Sequence, residues 1–201
     1  IPQLKKFDIV ALQEAFSFMN SRIDKIINEA KELGFAYHVR GPTGGFFSID
    51  GGLLILSKHQ IVRQTTHVYS KAMASDQLAQ KGVIYALIKT SEGALFHLFN
   101  THLQASYSDP NSLQKTKMFE EVKKSQLEEM IKFILMESAN DNLPIILVGD
   151  LNINALNKSV GSEYNILQNL LNENFVTRDL VLESYGTHPI TISDVEERDG
   201  K

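Results

Sequence analysis

The chain reads as an α/β sandwich, with sheets packed face to face and helices outside. Three observations predict it. Apolar and β-branched runs of strand length recur along the chain, and two of them, 82–89 and 94–102, flank a polar turn at 90–93 as a hairpin does. Two helical patterns, 19–33 and 113–137, are long enough to cross over the sheets. The regular strand–helix alternation of a doubly wound parallel sheet is missing.

Residues 8–14, D-I-V-A-L-Q-E, open as a buried strand. The helix at 19–33 sets Met19, Ile23, Ile26, Ile27, Ala30 and Leu33 at three-and-four spacing, and Gly34 is placed to stop it. A short strand follows at 35–39. Residues 41–52 are rich in glycine and read as a loop carrying the aromatic pair Phe46 and Phe47. Strands follow at 52–58 and at 61–69, the second rich in β-branched residues. Residues 71–81 are polar and irregular, and 104–112 form a loop after the hairpin. In the helix at 113–137, Phe119, Val122, Leu127, Met130, Ile131, Ile134 and Leu135 make one apolar stripe, and the charges read as a solvated face. A strand at 144–151 and a helix at 163–171, capped by Ser162, complete the pattern. Beyond Phe175 it is weak. No repeat or linker divides the chain, so 1–201 reads as one partial domain.

A chain of 201 residues can bury a sizeable core. Its 43% hydrophobic and 22% charged residues suit a globular protein rather than a disordered one. A net charge of -4 argues against a broadly basic nucleic-acid-binding face and leaves room for a local patch. The absence of cysteine excludes disulfides, thiolate metal ligands and a cysteine nucleophile. No apolar run reaches transmembrane length. The sequence begins Ile1, Pro2, Gln3 without a start Met or a signal-like segment, which suggests a piece of something longer.

Chemistry gathers at the C-terminal ends of three apolar strands. The run P-I-I-L-V-G-D-L-N-I-N ends in Asp150 and Asn152, two apart and therefore on one side of an extended backbone. They form either an Asx-type turn or a site, in which Asp150 accepts a proton from water or holds a cation and Asn152 donates to a phosphate oxygen without adding charge. The second strand ends in His102. This is either a packed histidine or a group that stabilises a phosphoryl oxygen or moves a proton near neutral pH. Thr101 and His97 face the other way, and neither His67 nor His188 has supporting context. The first strand ends in Glu14, which is either a strand-end carboxylate in water or an oxygen ligand for a hard cation. Asp76 and Lys81 bracket a polar segment and read locally as a surface pair. Hydrolysis of a phosphodiester needs stabilised negative charge, an activated water and help for the leaving oxygen. A cation, a histidine, a carboxylate and an amide donor cover much of that.

In order, D-I-V-A-L-Q-E, G-G-L-L-I-L-S-K, K-G-V-I-Y-A-L-I-K, N-T-H-L-Q-A and G-D-L-N-I-N resemble the endonuclease/exonuclease/phosphatase superfamily, and within it the neutral sphingomyelinases. The resemblance covers roughly residues 8–171 and is specific in combination. It implies a DNase I-like four-layer sandwich, two packed mixed β-sheets with helices outside. It also implies magnesium-dependent hydrolysis of sphingomyelin to ceramide and phosphocholine at a membrane surface. By motif, Glu14 resembles the magnesium ligand, His102 the histidine that contacts the scissile phosphate, and Asn152 the phosphate-binding asparagine. Asp150 resembles the aspartate that assists the leaving group or orients water. Asp76 and Lys81 match an Asp/Lys pair on a regulatory loop. Phe46 and Phe47 either dip into a membrane or pack on the sheet. The family's Asn-bearing first strand and its terminal Asp-His pair have no counterpart here, so the resemblance implies truncation at both ends and weak activity of this stretch alone. Other readings are a related nuclease or phosphatase, or a non-catalytic binding domain.

Overall fold

The computed structural model describes residues 1–16, 21–42, 51–73, 80–105 and 113–191. Met19, Phe46, Phe47 and Asp76 lie outside the described residues. The chain clusters into two compact units, Ile1–Asn152 and Ile153–Lys201.

The first unit opens with a 3-10 turn, Pro2–Lys6, followed by β1 (Ile9–Leu12), α1 (Arg22–Glu32), β2 (Tyr37–Arg40), β3 (Leu54–Ser57) and β4 (Gln60–Val68). Then come β5 (Gly82–Lys89), β6 (Leu95–His102), α2 (Leu113–Ser138) and β7 (Ile145–Asp150). One sheet has the order β1-β3-β2 and is antiparallel throughout. The other has the order β4-β5-β6-β7, antiparallel except for the parallel pair β6–β7. Among the described residues the first sheet is antiparallel and the second mixed. Parallel pairing requires a long crossover, and α2 supplies it between β6 and β7.

Period-two alternation assigns the faces. Leu54 and Leu56 of β3 join Val10 and Leu12 of β1 against Ile23, Ile27 and Ala30 of α1. Ile55, between them, turns to the opposite face and meets Ile84, Ala86 and Ile88 of β5 and Leu98 of β6. Phe99, next in β6, turns outward to Tyr85 (ring centroids 4.8 Å apart) and to Phe133 of α2 at 6.0 Å. The layers therefore run α1, first sheet, second sheet, α2, the four-layer sandwich the resemblance implied. β3 is buried on both faces, and each of its fully buried Leu and Ile side chains contributes roughly 1.5–3 kcal/mol relative to exposure.

The apolar stripe of α2 is confirmed at Phe119, Leu127, Met130, Ile131 and Ile134, all buried, whereas Leu135 is exposed. The solvated-face reading of its charges fails at Lys123, which is 1% exposed. Lys123 lies four residues from both Phe119 and Leu127, on the stripe itself.

In the second unit, α3 (Glu163–Asn174) is capped as predicted, with the Ser162 hydroxyl accepting from Asn165 N at 3.2 Å. A further helix, α4 (Leu180–Tyr185), escaped the sequence reading. It is six residues long and buries none of them, so it leaves no apolar periodicity to detect. Among the described residues, no helix is long and apolar enough to cross a membrane.

Candidate active site

The strand ends meet through the β6–β7 register. His102 pairs with Asp150, and Asn100 with Val148. This close approach depends on Gly149, opposite Thr101. Its φ is +139°, and a methyl group there would sit 2.1 Å from Thr101 O. Only glycine fits such a backbone without moving the strands. His102 Nε2 lies 3.8 Å from Asp150 Oδ2, with the histidine side chain 2% exposed and the aspartate side chain 42% exposed. A buried imidazole thus stands beside a carboxylate that water can reach.

Immediately beyond β7 the backbone reverses at Asn152, whose φ is 50°. Asn152 N donates to Asp150 Oδ1 at 2.9 Å, so the Asx turn that the sequence allowed is present. Its Nδ2 donates to Leu103 O at 2.9 Å, and Leu103 N donates to Asp150 O at 3.0 Å. Lys123 Nζ reaches across from α2 to Asn152 O at 2.6 Å. A left-handed non-glycine residue costs about 1–3 kcal/mol when the surroundings must hold it, and less for asparagine, which tolerates the region. Hydrogen bonds on both sides of the residue offset that cost.

Glu14 also has a left-handed backbone, φ 57°, and is exposed. The residue before it ties this turn to the second sheet. Gln13 Nε2 donates to Asn100 Oδ1 at 2.7 Å, and Asn100 Nδ2 donates to Leu12 O at 3.0 Å and Leu54 O at 3.3 Å. Asn100 is fully buried and precedes His102 by two, so the two share a face. The tandem glycines brace the same region. A methyl at Gly52 would lie 2.9 Å from Glu14 Cα, and one at Gly51 would lie 2.2 Å from Gln80 O, beside Lys81.

Lys81 corrects the sequence reading. Expected on an exposed polar segment, it is 4% exposed, with Nζ 2.7 Å from His102 Nε2. Its backbone is drawn inward because Tyr69 N donates to Lys81 O at 3.0 Å, where β4 and β5 begin to pair. A charged lysine has donors and no acceptor, so the ring accepts at Nε2 and, when neutral, carries its proton on Nδ1. Lys81 and Lys123 are the buried lysines among the described residues, and both end on groups of this strand-end cluster.

The remaining candidates separate cleanly. Thr101 does face away, donating to Gly82 O at 2.9 Å and accepting from the Tyr69 hydroxyl at 2.6 Å. Burial pushes the Tyr69 phenol well above its ordinary range, against the opposing Thr101 bond. His97, also turned away, is held by Tyr85 Oη at 2.9 Å and Asp141 Oδ1 at 2.8 Å. His67 pairs with Glu129 at 3.1 Å. Burial raises the Glu129 carboxyl, but the Ser70 hydroxyl and backbone N–H, with His67, hold it below its usual value. In the second unit, Asp179 Oδ2 takes both His188 Nε2 at 2.8 Å and the Tyr164 hydroxyl at 2.9 Å. Burial, then the Asp179 carboxylate, pushes the Tyr164 phenol up to about 12.

Sequence reasoning passed over Gln13, Asn100 and Lys123. Each had a signal: Asn100 interrupts an apolar strand, Gln13 ends one, and Lys123 interrupts an apolar helix stripe.

Comparison with known proteins follows the same residues. The model of the Endonuclease/Exonuclease/phosphatase family matches residues 2–162. A sphingomyelinase of Dictyostelium discoideum is 30% identical over 232 residues, covering 96% of this chain and 51% of that protein. Sphingomyelinase C of Bacillus cereus is 31% identical over 203 residues, covering 94% of this chain and 57% of that protein. The chain thus spans little more than half the length of these relatives. A crystal structure of beta toxin from Staphylococcus aureus with bound magnesium ions superposes with a TM-score of 0.69 at 23% identity, covering 89% of this chain and 61% of that one. That likeness is one of fold. With the strand-end motifs, the four-layer sandwich and a family match over most of its length in agreement, the chain belongs to the Endonuclease/Exonuclease/phosphatase family.

Proposed function

We propose that the protein is a magnesium-dependent phosphodiesterase that hydrolyses sphingomyelin to ceramide and phosphocholine at a membrane surface. The observation that carries the reading is the in-register pair His102 and Asp150, with Asn152 beyond it, in a chain whose curated relatives include sphingomyelinases. Asn152 Nδ2 gives one hydrogen to Leu103 O, and an amide nitrogen has a second to offer a phosphate oxygen. Asp150, with its side chain partly accessible, is placed to orient or deprotonate water or to assist the leaving oxygen. His102 contacts the scissile phosphate in this reading. Lys81 engages its Nε2 in the described arrangement, so the segment bearing Asp76 and Lys81 serves as the regulatory element that sets when that nitrogen is available.

Glu14 is the residue to hold magnesium. Its carboxylate is exposed, and magnesium takes one or two carboxylates together with several waters and substrate phosphate. When bound, the ion stabilises negative charge on phosphoryl oxygens.

The test is a release assay with the full-length protein on sphingomyelin vesicles, phosphatidylcholine vesicles and DNA. Phosphocholine should appear from sphingomyelin, stop with chelator and resume with magnesium, and Glu14→Gln should abolish most of it. Preferential cleavage of DNA, or magnesium dependence unchanged in Glu14→Gln, would overturn the reading.

A further inference from the structure

Lys123 is among the largest fully buried side chains described, and it sits on the buried face of α2 with the apolar stripe and the amide Gln126. A buried cation must be hydrogen-bonded or its desolvation is uncompensated. Lys123 Nζ donates at 2.6 Å to Asn152 O. That oxygen belongs to a residue with a left-handed backbone, whose N–H is held by Asp150 Oδ1 and whose side-chain amide is held by Leu103 O. The Asp150 and Leu103 bonds come from β7 and the end of β6. Lys123 alone among these partners comes from α2, so it joins the outer helix layer to the turn. The partner contributed by α2 is a long, flexible stem with a charged tip, one helical turn from each of the buried residues Phe119 and Leu127.

We propose that Lys123 is a positioning residue for the phosphodiester site: by holding Asn152 O, it fixes the peptide that aims the Asn152 amide and braces the Asp150 carboxylate. This rests on the phosphodiesterase reading above. Lys123 touches neither substrate nor reacting atoms; it acts through Asn152. A neutral side chain of the same length would fill the space and release the turn. An arginine would retain the donor.

The experiment compares Lys123→Met and Lys123→Arg in the full-length protein. Side-chain amide signals of Asn152 are assigned by their loss in Asn152→Asp, and hydrolysis of sphingomyelin vesicles is measured per folded molecule. In Lys123→Met the Asn152 amide signals should shift, and kcat should fall about tenfold, as loss of a charge-assisted hydrogen bond predicts. Lys123→Arg should restore both. A lower Tm with unmoved amide signals and unchanged kcat would overturn the proposal, as would a folded Arg variant that restores neither. If Met does not fold, Lys123→Gln takes its place with the same expectations. If the parent protein hydrolyses no sphingomyelin, the phosphodiesterase reading fails. The amide signals then decide the Lys123 contact by themselves: a shift in Met reversed by Arg supports it, and no shift refutes it.

Discussion

Replacing Gln13 with leucine tests whether the sheets are pinned together where Glu14 emerges. The side chains are similar in volume, so no large cavity opens. What is lost is the 2.7 Å bond from Gln13 Nε2 to Asn100 Oδ1. Asn100 is fully buried, and its own Nδ2 is committed to Leu12 O and Leu54 O. Its Oδ1 would therefore lose a partner in a place water does not readily reach. Leaving a buried acceptor unsatisfied costs about 1–3 kcal/mol. For a chain of this size each kcal/mol moves Tm by about 2–4 °C, so the melting point should fall by about 2–12 °C. Thermal unfolding followed by circular dichroism reads this directly. A double-mutant cycle with Asn100→Leu should return a coupling of about 0.5–3 kcal/mol, because the two residues share the bond. On the proposed function, turnover should fall as well, since Glu14, the proposed magnesium ligand, follows Gln13 directly. An unchanged Tm with additive single effects would refute the claim that this bond anchors the turn.

Three further outcomes follow from the geometry. Gly149→Ala should cost at least about 3 kcal/mol in denaturant unfolding, because its methyl would meet Thr101 O at 2.1 Å; near-parental stability would mean that β6 and β7 lie farther apart. Lys81→Met should leave stability within about 1 kcal/mol, as buried cations are often replaceable by apolar residues of similar volume, while changing hydrolysis. Lys81→Ala should cost roughly 2–5 kcal/mol through the space it empties, and equal melting points for the two variants would contradict the burial. Tyr164 should titrate near pH 12 by ultraviolet absorbance rather than at its ordinary 10.0. Its pKa is raised in the folded state, so its contribution to stability is complete below pH 10 and is lost as pH rises toward about 12. Asp179→Asn should bring the titration down, and no change would exclude the carboxylate as a cause.

The order of strands and helices was legible because each buried segment carries its own apolar run or stripe. Apolar runs of strand length marked β3, β5 and β6, three-and-four spacing marked α1, an apolar stripe marked α2, and Ser162 marked the start of α3. The ends of the strands were legible too, since Glu14, His102, Asp150 and Asn152 each break an apolar run. Their combination with the glycine motifs pointed to the family. Sequence alone could not say which residues support that cluster. Gln13 and Asn100 are 87 positions apart, and Lys123 and Asn152 are 29 apart. No local period links such pairs; only the stacking of one sheet on the other, and of α2 on the outer face, does. Lys81 shows the same division. Its charge and polar neighbours said surface, while strand pairing beside Tyr69 and the approach of His102 placed it inside. Local composition determines what a segment can become, but the burial of an individual polar side chain is decided by what the rest of the chain packs against it.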